Sequence, residues 1–389
     1  MARRCLMAEA LEDKDLEPME PLPVGELDTP AVVVDLDVVE KNLHLGADYA
    51  ARAGAALRPH CKTHKSPYFA RRQLTLGATG ICVAKVGEAE TFAGAGFMDI
   101  FIPNTIVGAG KARRLRALVE RGVRLAVGVD HIEQARGLSA AMSEIEIMIE
   151  VDTGSHRGGV PVATAVGLAK EASAFPGLRV RGVYAYEGYQ YSATDRDALA
   201  IRTWEGERAL VEVGKAVGAA LGIDPVISAG STPALAAGVP CYPGVTELRP
   251  GTYIFFDAAQ AHAAETLEHC AAHVLATVVS RPAPDRAILD SGSKTLTADV
   301  RGTGVCATEG HGLVCDLGGR PYPGLVVTHL SEEHGIVEGP TVDQLQVGQK
   351  VFVLPNHICP VVNLFDEVFC ARNGQVERVL PVAARGRPQ

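Results

Sequence analysis

The segment Arg58–Lys65 holds the densest group of chemically active side chains in the sequence, with two histidines, two lysines, an arginine and a cysteine. It follows the apolar run Gly54–Leu57, so Lys62 comes just after a predicted buried strand. Desolvation and neighbouring cations both lower the pKa of an ammonium group, and a neutral amine can form a Schiff base. The alternative is a solvated basic turn, and this segment alone leaves both interpretations open.

A second candidate is the pair His357 and Cys359, which follows the apolar run Val351–Leu354. In an extended chain, positions i and i+2 point to one face, so the two side chains could converge on one ion. Imidazole and thiolate suit zinc, and manganese is acceptable with added water ligands. Two ligands are too few for a structural site but suit an open catalytic ion. The alternative is a buried thiol beside a core histidine.

Strand-like apolar runs alternate with amphipathic stretches through the first 260 residues. Eight strands that alternate with helices favour a (β/α)8 TIM-type barrel over an open sheet. The predicted strands lie near 55–60, 80–84, 99–103, 124–129, 145–151, 179–186, 225–229 and 246–256. Predicted helices include Ala112–Glu120, Ala163–Ala174 and Asp197–Leu221.

The helical pattern fades after about residue 260, where β-rich runs such as Lys350–Leu354 lie between glycine-rich turns. We therefore predict a C-terminal β domain at 261–389 that carries the candidate metal ligands, after a barrel at 38–260. Residues 1–37 are predicted to form an N-terminal tail followed by the strand-like run Pro30–Asp37. That strand is expected to join the β domain.

In such a barrel, functional groups lie at the carboxyl ends of the strands, and phosphate usually binds after strands 7 and 8. Glycines there let the backbone approach an anion, and hydroxyl groups donate hydrogen bonds. The alternative for each glycine-rich segment is a simple turn. The candidates for phosphate and cofactor binding in strands 7 and 8 are Gly230, Ser231, Thr232, Gly251, Thr252 and Tyr253.

Two further cofactor-binding candidates follow earlier strands: Arg157 after strand 5 and Tyr186 after strand 6. Arg157 could lie against a phenolic or pyridine oxygen, or form a surface salt bridge. A Schiff-base lysine that faces a phosphate site across a barrel mouth implies pyridoxal 5′-phosphate (PLP). Lys65, Lys85 and Lys294 are rivals of Lys62, which is preferred because it closes strand 1 within a polar cluster.

Composition excludes several other classes of function. The chain of 389 residues carries a formal net charge of −9, so we expect no nucleic-acid or anionic-membrane partner. No apolar stretch reaches the roughly 18 residues that span a bilayer. Nine scattered cysteines do not suggest a disulfide framework, and the acidic first twenty residues resemble no targeting signal. We expect a soluble cytoplasmic enzyme.

Several segments together resemble the D-threonine aldolase and D-serine dehydratase family. They are Leu27–Pro30, Arg58–Lys65, Gly230–Pro233, Arg249–Tyr253, Asp290–Lys294 and His357–Cys359. The resemblance implies an alanine-racemase-like fold of the fold-type III PLP enzymes, a homodimer, and a divalent ion (manganese, zinc or magnesium). It also implies that Lys62 carries the cofactor, Arg157 lies near its ring, the Gly230 and Gly251 segments hold its phosphate, and His357 and Cys359 bind the metal.

The resemblance implies a lyase that cleaves D-threonine and related D-β-hydroxy-α-amino acids to glycine and an aldehyde. D-serine dehydratase is the alternative, because cysteine as the second metal ligand is found in dehydratases of this family and some aldolases use an acidic residue. A racemase and a non-catalytic PLP carrier are lesser alternatives. Hydroxyl deprotonation needs a base, and the candidates are His60 and a metal-bound hydroxide. His60 could equally be a residue that supports the cofactor from below.

Overall fold

The computed structural model describes residues 20–300 and 303–389, which form a parallel barrel and a mostly antiparallel sheet domain. In chain order, the strands of the described residues are β1 Leu22–Pro23, β2 Ala31–Asp35, β3 Ala56–Leu57, β4 Ile81–Cys82, β5 Asp99–Thr105, β6 Arg124–Val129, β7 Ile145–Asp152, β8 Val160–Pro161, β9 Leu178–Tyr184, β10 Val226–Ala229, β11 Glu247–Leu248, β12 Ala272–Ala283, β13 Arg286–Leu289, β14 Gly312–Cys315, β15 Pro321–Leu330, β16 Gly335–Glu338, β17 Lys350–Pro355, β18 Glu367–Arg372 and β19 Gln375–Pro381.

The barrel consists of parallel strands in the order β3-β11-β10-β9-β7-β6-β5-β4, and the short β8 pairs with β7. The circle closes between its first and last strands through a parallel bridge of His60 with Cys82. There, the N–H of Cys61 donates to the carbonyl of Cys82 at 2.8 Å. Strands β6 and β7 are almost wholly buried, as are residues 100–102 of β5, which explains why these strands appear in the sequence as largely apolar runs.

Helices alternate with the barrel strands and cover them. The α-helices of the described residues, of which the last two lie among the strands of the second sheet, are α1 Leu36–Ala53, α2 Pro67–Thr75, α3 Val86–Gly94, α4 Ala109–Glu120, α5 Ile132–Ala141, α6 Ala165–Ser173, α7 Arg196–Leu221, α8 Thr232–Ala236, α9 Ala258–Ala264, α10 Ser293–Leu296 and α11 Ile358–Val362. The first begins where the Asp35 carboxylate accepts the N–H of Asp37 and ends at Gly54, whose φ of 64° suits glycine.

The second sheet contains β1, β2 and β12–β19, in the order β1-β19-β18-β2-β12-β13-β16-β15-β14-β17. Because β17 pairs with both β14 and β12, six of these strands close into a ring. Strand β2 pairs with β12, so the N-terminal strand lies in the C-terminal sheet. Strand β17 ends at Pro355 and leads directly into the segment with His357 and Cys359.

The structure confirms the predicted fold class, a (β/α)8 barrel with a C-terminal β domain. It differs from the sequence prediction in the last barrel strand, predicted at 246–256. The strand is limited to Glu247–Leu248, although the Pro250 carbonyl still accepts the N–H of His60 at 2.9 Å, and Thr252–Ile254 forms a 3₁₀ helix. Pro250 lacks an N–H group and cannot extend the ladder.

The domain boundaries stay predictions, and the predicted division at residue 260 falls inside α9. The predicted acidic tail lies largely in residues 1–19, outside the described residues. Among the described helices, none is long and apolar enough to cross a membrane.

Candidate active site

A cavity opens at the carboxyl ends of the barrel strands, beside the segment that follows β17. Its lining combines residues from both domains. The lining residues are His60, Lys62, Pro103, Asn104, Arg157, Tyr184, Tyr186, Tyr191, Gly230, Ser231, Thr232, Arg249, Gly251, Thr252 and His357. The structure thus brings together the sequence candidates except Tyr253 and Cys359, and Cys359 lies directly behind the wall at Thr252.

Lys62 lies in the turn after β3, and its Nζ is 5.9 Å from the centre of the Tyr186 ring. The three rival lysines have other surroundings. Lys65 is ion-paired with Glu88 at 3.1 Å, and Lys294 binds surface carboxylates at 2.7 Å. Lys85 lines a neighbouring cavity. Of the four lysines, Lys62 is the one that lines the cavity with the glycine-rich loops.

Arg157 stacks on Tyr186, with its guanidinium carbon 3.9 Å from the ring centre. One of its nitrogens lies 3.9 Å from an oxygen of the buried Glu150. Arg157 therefore has features of both predicted alternatives, because it lines the cavity and also lies near the carboxylate of Glu150. The stack places a fixed positive charge at the cavity wall.

His60 is buried, and its pKa lies well below the usual value because of burial and because Lys62, Arg249, His64 and Arg157 are close. The ring is therefore neutral at pH 7. Its Nδ1 accepts the N–H of Lys62 at 3.4 Å, which leaves the proton on Nε2. Because its pKa is so low, the His60 ring is a weak proton acceptor. It is suited instead to donating a hydrogen bond that positions a partner.

The glycine-rich loop after β10 turns at Gly230, where φ is +100°. The Gly230 N–H donates to the buried carboxylate of Glu187 at 2.7 Å, so this donor is held inside the protein. Ser231 and Thr232 follow at the start of α8 and line the cavity. Burial raises the pKa of Glu187 to about 7, although hydrogen bonds from Gly230 and Tyr189 oppose that shift.

The second glycine-rich loop packs closely against the Lys62 turn. A Cβ at Gly251 would lie 3.1 Å from the His60 carbonyl oxygen and 3.2 Å from the Thr63 hydroxyl. The absence of a side chain lets this loop approach the turn after β3. The two predicted anion-binding loops therefore both border the cavity that Lys62 lines.

Tyr253 is the candidate that the structure turns away from the cavity. Its ring fills the space beside Gly46, and its hydroxyl accepts a hydrogen bond from Gln73 at 3.0 Å. The sequence prediction treated this stretch as a strand, in which Gly251 and Tyr253 would share a face. In the 3₁₀ helix, successive side chains point about 120° apart, so Thr252 meets the cavity and Tyr253 enters the core.

The partly exposed His357 and the buried Cys359 form a polar pair at the start of α11. The Nδ1 atom of His357 lies 2.8 Å from the Asp299 carboxylate, which leaves Nε2 for an ion. The Cys359 thiol lies 3.1 Å from the Thr63 hydroxyl and 3.4 Å from that of Thr252. Imidazole with thiolate is a donor set that fits a divalent ion of the zinc type.

The pKa values of this pair shift toward the charged forms. Burial alone would lower the pKa of His357, but Cys359 and the nearby carboxylates Asp257 and Asp299 outweigh it and raise the value to about 9. Burial would raise the pKa of the Cys359 thiol, but His357, Lys62 and Thr252 outweigh it and lower the value. A thiolate is the form that binds metal. Within residues 20–300 and 303–389, no group of three or more potential metal ligands is present.

Four polar lining residues were not selected from the sequence: Asn104, Tyr184, Tyr191 and Arg249. Arg249 is buried between aromatic rings and donates to the Ala185 carbonyl at 2.7 Å. Tyr184 donates to Glu150 at 3.0 Å. Arg249 belongs to a segment that the sequence analysis singled out, but its role depends on partners more than sixty residues away.

Comparisons with known proteins identify the family. The model of the alanine racemase N-terminal domain matches residues 34–259, and that of a putative serine dehydratase domain matches 271–371. The chain is 35% identical to a D-threonine aldolase of Arthrobacter sp over 94% of both proteins. The chain belongs to the D-threonine aldolase and D-serine dehydratase family. Another member, the D-threo-3-hydroxyaspartate dehydratase of Delftia sp., is 36% identical over 86% of this chain and 91% of that protein.

Solved structures of this family agree with the fold. The crystal structure of D-threonine aldolase from Filomicrobium marinum has a TM-score of 0.84 and 31% identity, covering 95% of this chain and 99% of that one. A cysteine-to-alanine variant of D-threo-3-hydroxyaspartate dehydratase, described as the metal-free form, has a TM-score of 0.85 and 32% identity, covering 92% and 99%. A histidine-to-alanine variant has also been solved, with its substitution two positions before that cysteine.

Proposed function

We propose that this chain is a PLP- and divalent-metal-dependent lyase that cleaves D-threonine and related D-β-hydroxy-α-amino acids to glycine and an aldehyde. The observation that carries the proposal is the shared cavity. Lys62 reaches it from the barrel, while His357 reaches it from the C-terminal domain with Cys359 behind it. The kinship with D-threonine aldolase supports the reaction type.

Lys62 is the residue proposed to hold PLP, with Arg157 and Tyr186 beside its ring. Ser231, Thr232, Gly251 and Thr252 border the part of the cavity proposed for its phosphate. When bound, PLP withdraws electrons from the bonds at the substrate Cα. His60, as a neutral donor next to Lys62, would position these groups.

His357 and Cys359 are proposed to hold the divalent ion next to the substrate β-hydroxyl, whose pKa such an ion would lower. The relatives support this pair: a histidine and a cysteine with the same spacing were replaced in D-threo-3-hydroxyaspartate dehydratase, and the cysteine variant is metal-free. Asp299, through Nδ1 of His357, would fix the ring so that Nε2 faces the ion.

Dehydration of a β-hydroxy-D-amino acid is the second candidate, with D-serine as one substrate of that class. The His357 and Cys359 spacing is the specific observation that favours it, because it matches the pair replaced in a dehydratase. Both reactions use the same residues and differ in which bond at Cα breaks. The chain is also proposed to form a homodimer, as the family resemblance implies, and to act in the cytoplasm, as expected from its composition.

Product analysis tests the proposal. The purified protein is incubated with PLP and D-threonine, with manganese added or after chelation. Glycine and acetaldehyde that disappear on chelation are expected. Formation of 2-oxobutanoate and ammonia would establish the dehydratase instead, and bound PLP without turnover of any D-amino acid would indicate the non-catalytic carrier.

A further inference from the structure

Asp257 links the barrel to the segment that holds His357 and Cys359. It is buried and precedes α9, where one carboxylate oxygen accepts the N–H of Gln260 at 2.9 Å. The other oxygen accepts the N–H of Ile358 at 3.1 Å, from a residue 101 positions away in the chain. Ile358 is the residue between His357 and Cys359.

We propose that Asp257 is a positioning residue for the metal pair, an inference that rests on the proposed metal site. A carboxylate that accepts a backbone N–H fixes the peptide plane on which both neighbouring residues are built. With the peptide held at this one atom, the His357 side chain lines the cavity and the Cys359 thiol lies directly behind the cavity wall at Thr252. Asp257 acts on the pair through the backbone N–H of Ile358, besides the negative charge that it places near His357.

Three features strengthen the hydrogen bond between the N–H of Ile358 and the Asp257 carboxylate. The N–H of Ile358 lies in the first turn of α11, where the helix itself offers no acceptor. Ile358 and Asp257 are both buried, so no bulk water can replace the bond. A hydrogen bond to an ionised carboxylate is also stronger than a neutral one.

Asp257 also fixes the position of residues 356–359 relative to the barrel. Asn356 and His357 contact Asp299 and Gly310 of the C-terminal domain, through bonds of 2.7–3.0 Å. Those contacts fix the segment within its own domain. Asp257 instead belongs to the barrel, which also carries Lys62. Its bond to Ile358 therefore fixes the position of His357 and Cys359 relative to the proposed cofactor site.

The test separates helix capping from positioning by substituting serine. Serine is also a good N-cap, so Asp257→Ser retains a partner for Gln260 but is too short to reach Ile358 as well. The matched control is Asp195→Ser at the N-cap of α7, where Asp195 is exposed and accepts the N–H of Ala198 at 2.8 Å. Each PLP-loaded protein is stripped of metal by chelation and titrated with Co²⁺, and the thiolate-to-cobalt charge-transfer absorbance is recorded.

We expect Asp257→Ser to weaken Co²⁺ binding by roughly 10- to 100-fold, the usual loss when a group that orients a ligand is removed. Asp195→Ser should bind Co²⁺ as the wild type does. Unchanged affinity in Asp257→Ser would overturn the role of Asp257 while leaving the metal site intact. A wild type with no charge-transfer band, matched by Cys359→Ala, would instead overturn the metal site itself and the inference with it.

Asp257→Asn provides a second variant if the serine variant does not fold. The amide keeps the side-chain length, but its NH₂ group must face one of the two N–H donors. Co²⁺ affinity is therefore expected to fall in this variant too, and a cooperative thermal unfolding transition is the check that the variant is folded. Wild-type affinity in a folded Asp257→Asn protein would equally contradict the inference.

Discussion

The two halves of the candidate site are held in different ways. On the barrel side, Lys62 projects into the cavity, and among the described residues its Nζ has no hydrogen-bond partner; the Tyr186 ring is 5.9 Å away. On the other side, the backbone or side chain of each residue from Asn356 to Cys359 is fixed by a contact of 2.7–3.4 Å.

This difference matches what each half is proposed to do. A lysine that forms and releases a covalent bond must change position during turnover, so a side-chain nitrogen without a hydrogen-bond partner among the described residues suits that role. A metal pair gains affinity when its ligands are fixed in advance, because no ordering cost falls on binding. The comparison therefore predicts that the two halves respond differently to mutation.

The largest effect is expected for Lys62→Ala, which removes the proposed attachment point of PLP. The visible absorbance of the bound cofactor should disappear, and activity should fall by roughly a thousandfold or more, because proton transfer alone contributes about 10²–10⁴-fold. Absorbance and turnover of D-threonine are measured together. Lys294→Ala, at a surface lysine paired with Glu332, is the control and should retain both. A persistent band in Lys62→Ala would show that another lysine holds the cofactor.

His357→Ala and Cys359→Ala should leave that absorbance band intact and remove the metal response, because Lys62 remains and neither removed side chain is proposed to hold the cofactor. Activity with added manganese is expected to fall about 10- to 100-fold or more, to the level of the chelated wild type. Stimulation by manganese is the measurement, and His334→Ala, at an exposed histidine, is the control. A normal metal response in both variants would place the ion elsewhere.

A smaller effect is expected for Arg157→Ala, which removes the stack on Tyr186. An exposed cation–π contact contributes about 0.5–1 kcal/mol, so the Kd for PLP should rise roughly two- to fivefold, as measured by absorbance titration. Arg136→Ala removes a looser cation–π contact, 5.9 Å from the centre of the Phe175 ring and away from the site, and should leave the Kd unchanged. An equal rise of the Kd for PLP in both variants would show that the effect does not come from the stack on Tyr186.

The smallest effect on the site is expected for Glu207→Gln, which should change stability rather than catalysis. Burial, with Glu187 nearby, raises the pKa of Glu207 from 4.5 to about 9. Between these two pKa values the folded protein retains a proton that the unfolded chain releases. The contribution of Glu207 to the free energy of unfolding is therefore full below about pH 4.5 and is lost as the pH rises to about 9. Glutamine cannot ionise, so urea midpoints should decline less with pH in the variant than in the wild type. Parallel pH profiles would contradict the raised pKa.

The sequence predicts the barrel and most of the cavity because these depend on local patterns. Buried parallel strands appear as apolar runs, and their carboxyl ends fall at Lys62, Arg157 and the glycine loops. Tyr253 was wrongly assigned because a strand and a 3₁₀ turn differ in side-chain direction, which the local sequence does not reveal. The bonds of Glu187 to Gly230 and of Asp257 to Ile358 join residues 43 and 101 positions apart, and no local signal marks them.

Anomalous diffraction from crystals soaked with PLP and a divalent metal tests most directly the claim that both halves serve one site. The account predicts one metal peak at about 2.0–2.3 Å from His357 Nε2 and Cys359 Sγ, and continuous density from Lys62 Nζ into the same cavity. A metal peak away from this pair, or cofactor density joined to another lysine, would contradict it.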